Sequence, residues 1–264
     1  MKILILGSTG MLGSMVLDYL SKKGLDITTP FREELEYIRY ADYDWIINCI
    51  GIIKQKLTDP RDAIRINALY PYMLSEEAPK AKIIQIATDC VFSGKKGHYT
   101  EDDEHDASDI YGKTKSLGEV MKPNFYNIRT SIVGIDKANI SLLSWFLSQE
   151  KNATVKGYTN YHWNGITTLH FAKLCYALMK KKRSVPNNFH FFPKDVVNKY
   201  GLLNIFAEKF NRKDIRIEPF VAKDGIDRTL STICKVNSSL WKDMGYDTPP
   251  TIEQMVGELA EYEK

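Results

Sequence analysis

The chain opens on a short unbroken apolar run, Ile3 to Leu6, which leads directly into Gly7, Ser8, Thr9, Gly10, Met11, Leu12 and Gly13. Such a run, stopped by glycine, reads as a strand buried on both faces, as in a parallel sheet. Behind it Met11, Leu12, Met15, Val16, Leu17 and Leu20 recur at helical spacing as far as Lys22 and Lys23, and Gly24 is placed to close the helix. Leu25 to Thr29, Trp45 to Ile50 and Ile83 to Ala87 read as further strands. Between the last two, Arg61 to Leu74 carries Ala63, Ile64, Ile66, Leu69, Tyr70 and Met73 in a helical pattern, with a kink predicted at Pro71. Ile110 to Met121 predicts another helix and Asn127 to Val133 another strand. Strands alternating with helices predict an α/β fold with a doubly wound parallel sheet of the Rossmann type, whose ligand site lies at the carboxyl ends of the strands.

Beyond Gly134 the alternation loosens. Helices are predicted at Ser141 to Gln149, Leu169 to Met179, Tyr200 to Phe210 and Thr251 to Tyr262, separated by segments rich in Asn, Lys, Asp and Pro. The predicted organisation is a dinucleotide-binding core over residues 1–134, to which 165–190 returns, and a smaller interleaved substrate lobe formed by 135–164 and 191–264. A length of 264 residues suits one such unit.

Charge narrows the function. Thirty-six Lys and Arg against 33 Asp and Glu leave a net charge of +3, and the charges are interspersed, which argues against nucleic-acid binding. The run Lys180, Lys181, Lys182 and Arg183 reads as the solvated end of a helix. Cys49, Cys90, Cys175 and Cys234 show no CxxC spacing and join no His cluster, so reduced thiols are expected and no metal site. The run Ile3 to Leu6 is too short for a signal peptide and Trp45 to Ile53 too short to cross a bilayer, which predicts a cytoplasmic protein with no membrane partner.

Strand, GxxGxxG and helix in succession predict nucleotide binding. Gly7, Gly10 and Gly13 allow a tight turn and close approach of a pyrophosphate, while Thr9, Met11 and Leu12 fill the loop whose helical N–H groups face that charge. Arg32 lies where the second strand ends and suits the extra phosphate of NADP; Glu33 and Glu34 beside it keep NAD as the alternative. Tyr111 and Lys115 stand four residues apart and share a helix face, so the ammonium is expected to lower the phenol's pKa and fit it for proton transfer. On spacing alone the pair also fits an amphipathic surface helix. Thr88, at the end of the Ile83 to Ala87 strand, completes a set that could surround one carbonyl group.

The stretches ILGSTGMLG, IATDCVFSG and YGKTKSLGE, in that order, resemble the extended short-chain dehydrogenase/reductases, nearest to the dTDP-4-dehydrorhamnose reductase family. The resemblance continues through Asn67 in INALYP, IRTSIVG at Ile128 to Gly134 and NFHFF at Asn188 to Phe192. It implies that Thr88, Tyr111 and Lys115 are catalytic, that Tyr111 and Lys115 also hold NADPH together with Cys49, Gly51 and Asn67, and that hydride passes to a sugar keto carbon. The implied substrate is a nucleotide-linked 4-keto-6-deoxy sugar of cell-surface polysaccharide biosynthesis. Cys90 stands where those reductases carry Tyr, and Asn48 to Gly51 replaces an alanine-rich strand end, which leaves the exact sugar open.

Substrate contacts are expected from Thr88, Asp89 and Cys90, from Lys54, and from Trp163 and Asn164 in an aromatic loop with Tyr158, Tyr161 and His162. Arg228 suits a diphosphate, since a guanidinium matches phosphate oxygens in pairs. Asp89 is followed by Cys90 rather than by a second carboxylate, which argues against a 4,6-dehydratase. An epimerase retaining NAD, and a non-catalytic dinucleotide-binding regulatory subunit, are the alternatives. Oligomeric state is open, with a homodimer as one outcome.

Overall fold

In the computed structural model, which describes residues 1–181 and 184–264, six strands form one parallel sheet. They are β1 (Lys2–Leu6), β2 (Asp26–Thr28), β3 (Trp45–Asn48), β4 (Lys82–Ile86), β5 (Phe125–Arg129) and β6 (Asn188–His190). Their order across the sheet is β6-β5-β4-β3-β1-β2, and every pairing is parallel. Helices cover both faces of such a sheet, which is why β3 and β5 are buried along their whole length and the inner strands read as unbroken apolar runs. Lys182 and Arg183 of the basic run lie outside the described residues.

The chain leaves β1 through the helix α1 (Met11–Ser21), forms β2 on one side, and then crosses to the other side of β1 to form β3. This reversal opens a crevice at the carboxyl ends of β1 and β3. The register sets Leu6 beside Asn48 and Asn48 beside Gln85, and Asn48 Nδ2 donates to Gln85 Oε1 at 2.7 Å.

The helix predicted over Arg61 to Leu74 runs from Pro60 to Glu77, and the kink takes the form of a π-helical stretch at Ile64–Leu69. Pro71 has no N–H to offer the Asn67 carbonyl four residues back, and its ring crowds that carbonyl, so a wider turn relieves the clash. Gly118 packs against this stretch; a Cβ there would lie 1.9 Å from the Asn67 oxygen. The helix predicted to reach Met121 therefore ends at Leu117.

The remainder combines the predicted helices, at Leu142–Leu147, Thr168–Lys181, Lys199–Lys209 and Ile252–Tyr262, with short strands that the hydrophobic pattern did not reveal. Thr154–Tyr158 pairs with Arg216–Phe220, Tyr161–Trp163 lies between Val197–Asn198 and Ile226–Asp227, and Ile132–Val133 pairs with Ile166–Thr167. A helix at Val236–Asp243 is likewise additional to those predicted. Phe146, Phe206, Trp241 and Val256 of this region pack into the same core as Ile3, Val16 and Leu20.

Candidate active site

At the end of β1, Gly7 has φ +77°, and a Cβ on it would lie 3.1 Å from Ile50 Cγ1 and 3.2 Å from Ile50 N. Gly13 is tighter still: its Cβ would meet the Gly7 carbonyl oxygen at 2.1 Å. Gly10 N donates to Gly7 O at 3.0 Å and Gly10 caps α1 without any side-chain bond to the first turn. The leading N–H groups of α1 are therefore left to an anion, and these residues fit a pyrophosphate. Thr9 is exposed on this loop, whereas Leu12 is buried in the core. Arg32 is exposed at the start of the Arg32–Tyr37 turn of 3-10 helix. The Glu34 carboxylate beside it is turned away, accepting from Phe31 N at 2.7 Å.

At the end of β3, Asn67 is buried rather than presented to the crevice. Its side chain accepts from Ile52 N and donates to Ile52 O, both at 2.9 Å, so it positions the strand-end loop of Cys49 and Gly51. Burial pushes the Cys49 thiol up to about 12, which keeps it neutral.

Thr88 follows β4. Its Oγ1 accepts from Cys90 N at 3.1 Å and donates to Asp89 Oδ1 at 3.2 Å, and the same side chain lies near enough to the Tyr111 phenol to favour its ionised form. The Ile110–Leu117 helix reaches this turn because residue 112 is glycine: a Cβ would stand 2.3 Å from the Cys90 carbonyl oxygen. Asp109 caps that helix through Gly112 N at 2.9 Å and takes Lys54 Nζ at 2.8 Å, with the ammonium 5.8 Å above the Tyr111 ring.

Lys115 does not act on the phenol as its spacing suggested. One turn on, its ammonium reaches the β4 backbone and donates to Ile86 O at 2.6 Å. Burial raises the Tyr111 phenol well above its ordinary value, Cys90 and Asp89 adding to that and Thr88 opposing it. Burial also pulls Lys115 down to about 8 against the attraction of Glu119. Glu119 forms a buried two-point ion pair with Arg129, at 2.7 and 2.9 Å, and accepts from Asn188 Nδ2 at 2.9 Å, tying this helix to β5 and β6. Sequence reasoning missed that pair.

The predicted substrate contacts divide. Asp89 and Cys90 flank Thr88; burial raises both, Cys90 to about 12. Arg228 approaches Asp89 from the Ile226–Asp227 strand and donates through Nε to Phe92 O at 2.8 Å. Trp163 and Asn164, in contrast, are buried supports. Trp163 Nε1 donates to Ser131 Oγ at 2.8 Å, and Asn164 clamps both backbone polar groups of Leu230, at 2.8 and 2.9 Å. His162 faces Asp227 at 3.5 Å. A residue not singled out, Lys199, feels the charge of Asp89, and its Nζ lies 5.7 Å above the Trp163 ring. Its one sequence signal is its place just behind Asn198, the cap of the Lys199–Lys209 helix. Among the described residues no helix is long and apolar enough to cross a membrane.

The family model described as RmlD substrate binding domain matches residues 1–229. A dTDP-4-dehydrorhamnose reductase of Mycolicibacterium smegmatis is 33% identical over 149 residues, which are 50% of this chain and 46% of that protein. The match thus spans about half the length of that relative. Methionine adenosyltransferase 2 subunit beta of Rattus norvegicus is 24% identical over 250 residues, 83% of this chain and 75% of its own. Among solved structures, the dTDP-4-dehydrorhamnose reductase of Bacillus anthracis in complex with NADP superposes with a TM-score of 0.82 at 17% identity, covering 100% of both chains. That similarity extends to the fold.

Proposed function

The chain belongs to the RmlD substrate binding domain family, and from that membership we propose that it is an NADPH-dependent reductase that converts a nucleotide-linked 4-keto-6-deoxy sugar to its alcohol. We place it in the cytoplasm, supplying sugars for cell-surface polysaccharide. In this reading residues 1–134 with 165–190 hold the dinucleotide, and 135–164 with 191–264 hold the sugar nucleotide. The observation that carries the proposal is the packing of the Ile110–Leu117 helix, through Gly112, onto the Thr88–Cys90 turn, which sets the Tyr111 phenol beside Thr88 in a sheet whose β1 end carries the glycine turn.

Reduction of a ketone needs a proton where charge develops on oxygen. NADPH supplies the hydride when bound. Gly7, Gly10 and Gly13 would cradle its pyrophosphate, and Arg32 would meet the 2′-phosphate. Thr88 and Tyr111 would hold the keto oxygen, and Tyr111 would give it the proton. The phenol is protonated at neutral pH, as the reducing direction requires, and Thr88 offsets part of the rise that burial imposes on its pKa. Lys115, fixed to Ile86 O one turn along the same helix, would carry positive charge beside the cofactor ribose.

The reductase relative aligns over half of this chain and the adenosyltransferase subunit over 83% of it, so a regulatory dinucleotide-binding role is the second reading. The intact Thr88, Tyr111 and Lys115 set supports the enzyme. A panel of nucleotide-linked 4-ketosugars assayed with NADPH and NADH separates the two. Oxidation of NADPH by at least one ketosugar is expected, and none by any would leave the regulatory role.

A further inference from the structure

A cavity of about 670 Å³ opens in the smaller lobe, walled by Leu142, Trp145, Tyr158, Tyr161 and Leu203, with Lys199 among its lining residues. Tyr158 and Tyr161 stack with ring centroids 4.8 Å apart, giving the cavity a flat aromatic wall. Lys199 is the residue shared between this cavity and the catalytic turn, because its charge also acts on Asp89 and Cys90.

That ammonium is poorly satisfied. Among the described residues Lys199 makes no hydrogen bond or ion pair, its nearest partner being the face of Trp163 at 5.7 Å. Of the other cations around this turn, Lys54 pairs with Asp109 at 2.8 Å, and Arg228 uses Nε to donate to Phe92 O at 2.8 Å. Burial lowers the Lys199 pKa, with Asp89 pulling it back. A half-buried ammonium that makes no hydrogen bond gains from an anion delivered with the ligand. Trp163, whose face lies 5.7 Å from the ammonium, is itself fixed by its bond to Ser131.

We propose that Lys199 is a specificity-determining residue that binds the diphosphate linker of the substrate at the junction of the catalytic turn and the aromatic cavity. The inference rests on the sugar-nucleotide reading above and adds the residue that selects for the charged linker. The sugar lies toward Thr88, the nucleoside lies in the cavity, and the negative charge between them meets Lys199.

The test compares wild type with Lys199→Met and Lys199→Arg by calorimetric titration with dTDP, UDP, thymidine and uridine, with NADPH as the folding control. A charge-assisted bond lost from this site lowers diphosphate affinity about 10–100-fold. Lys199→Met should show that loss for dTDP or UDP while nucleoside and NADPH affinities stay within about twofold, and Lys199→Arg should recover most of it. Equal diphosphate affinity in wild type and Lys199→Met overturns the proposal, as does a wild type that binds neither diphosphate. Should Lys199→Met also lose NADPH, the milder Lys199→Gln is read by the same criterion. Loss of diphosphate binding in a protein that reduces no ketosugar upholds the Lys199 assignment and overturns the reductase reading alone.

Discussion

The turn at Gly7 to Gly13 and the junction around Asp89 put their chemistry in different parts of the chain. The glycine turn works through backbone: its geometry is fixed by the absence of side chains, within a span of seven residues, Gly7 to Gly13. The junction works through side chains drawn from the end of β4, the Ile110–Leu117 helix, the start of the Lys199–Lys209 helix and the segment at Arg228. A local backbone device announces itself as a pattern, whereas an assembly of distant side chains exists only after folding. The two should also fail differently when altered.

The largest effect is expected at the junction. Tyr111→Phe keeps the ring that packs beside Thr88 and removes the donated proton, so turnover should fall by about 10²–10⁴-fold with NADPH affinity unchanged. Single-turnover kinetics with a ketosugar that wild type reduces would check this. Near wild-type turnover with chemistry rate-limiting would remove Tyr111 from the mechanism. Gly13→Ala, in the turn, should do the reverse. Its Cβ would sit 2.1 Å from Gly7 O, so the turn must open. Overpacking of ~1–3 kcal/mol corresponds to roughly a 10–100-fold loss of NADPH affinity together with a lower Tm. In Gly10→Ala the new Cβ meets protein only at Gly7 O, 3.4 Å away, so the fold should keep its Tm and only the ligand be crowded. If Gly13→Ala bound NADPH like wild type, the turn would not be the pyrophosphate cradle.

The same contrast explains what could be read from the residues. The β1, α1, β3 and β4 elements were legible because each is a short apolar run or a periodic one closed by glycine or polar residues. Thr154–Tyr158 and Arg216–Phe220 were not, since strands with exposed, polar positions look like loop until their partner is known. Tyr111 and Thr88 could be named as a pair from motif order, but Lys115 could not be placed: its spacing set it under the phenol, and only the β4 backbone shows that it bonds Ile86 O instead. Trp163 and Asn164 have the side chains of a binding loop, yet their polar atoms are engaged with Ser131 and Leu230. Lys199 carried no pattern because its partners, Asp89 and Trp163, are remote in sequence.

Arg32 lies between the two cases, a side chain proposed to serve a backbone-built site. It is exposed, so its charge is screened, and Arg32→Asp should shift the preference for NADPH over NADH by about tenfold. Titration of both cofactors into both proteins measures this ratio. An unchanged ratio would move the 2′-phosphate contact away from Arg32.

The smallest effect tests whether the junction costs stability that the turn does not. Burial holds Lys115 at about 8, against 10.5 for a free lysine. Between those values the unfolded chain binds a proton that the folded protein lacks, so this group makes the protein more stable as pH rises from about 8 to 10.5. Below pH 8 both states are charged and the folded one bears the desolvation, ~3 kcal/mol at ~1.4 kcal/mol per unit of pKa. Lys115→Met removes that cost but leaves Ile86 O without its donor, a loss of ~1–3 kcal/mol. The variant should therefore be more stable than wild type by about 1 kcal/mol at pH 7. Its advantage should vanish by about pH 10, where wild type no longer buries a charge. Calorimetric Tm values for both proteins at pH 7 and pH 9.5, without ligand, measure the difference. Tyr111 and Cys90 titrate in both proteins and cancel in that comparison, and Cys49, whose thiol feels Lys115, stays neutral in the folded state of both up to pH 9.5. A difference independent of pH would mean that Lys115 is not held as a buried charge, and the proposed electrostatic support of the cofactor ribose would fall with it.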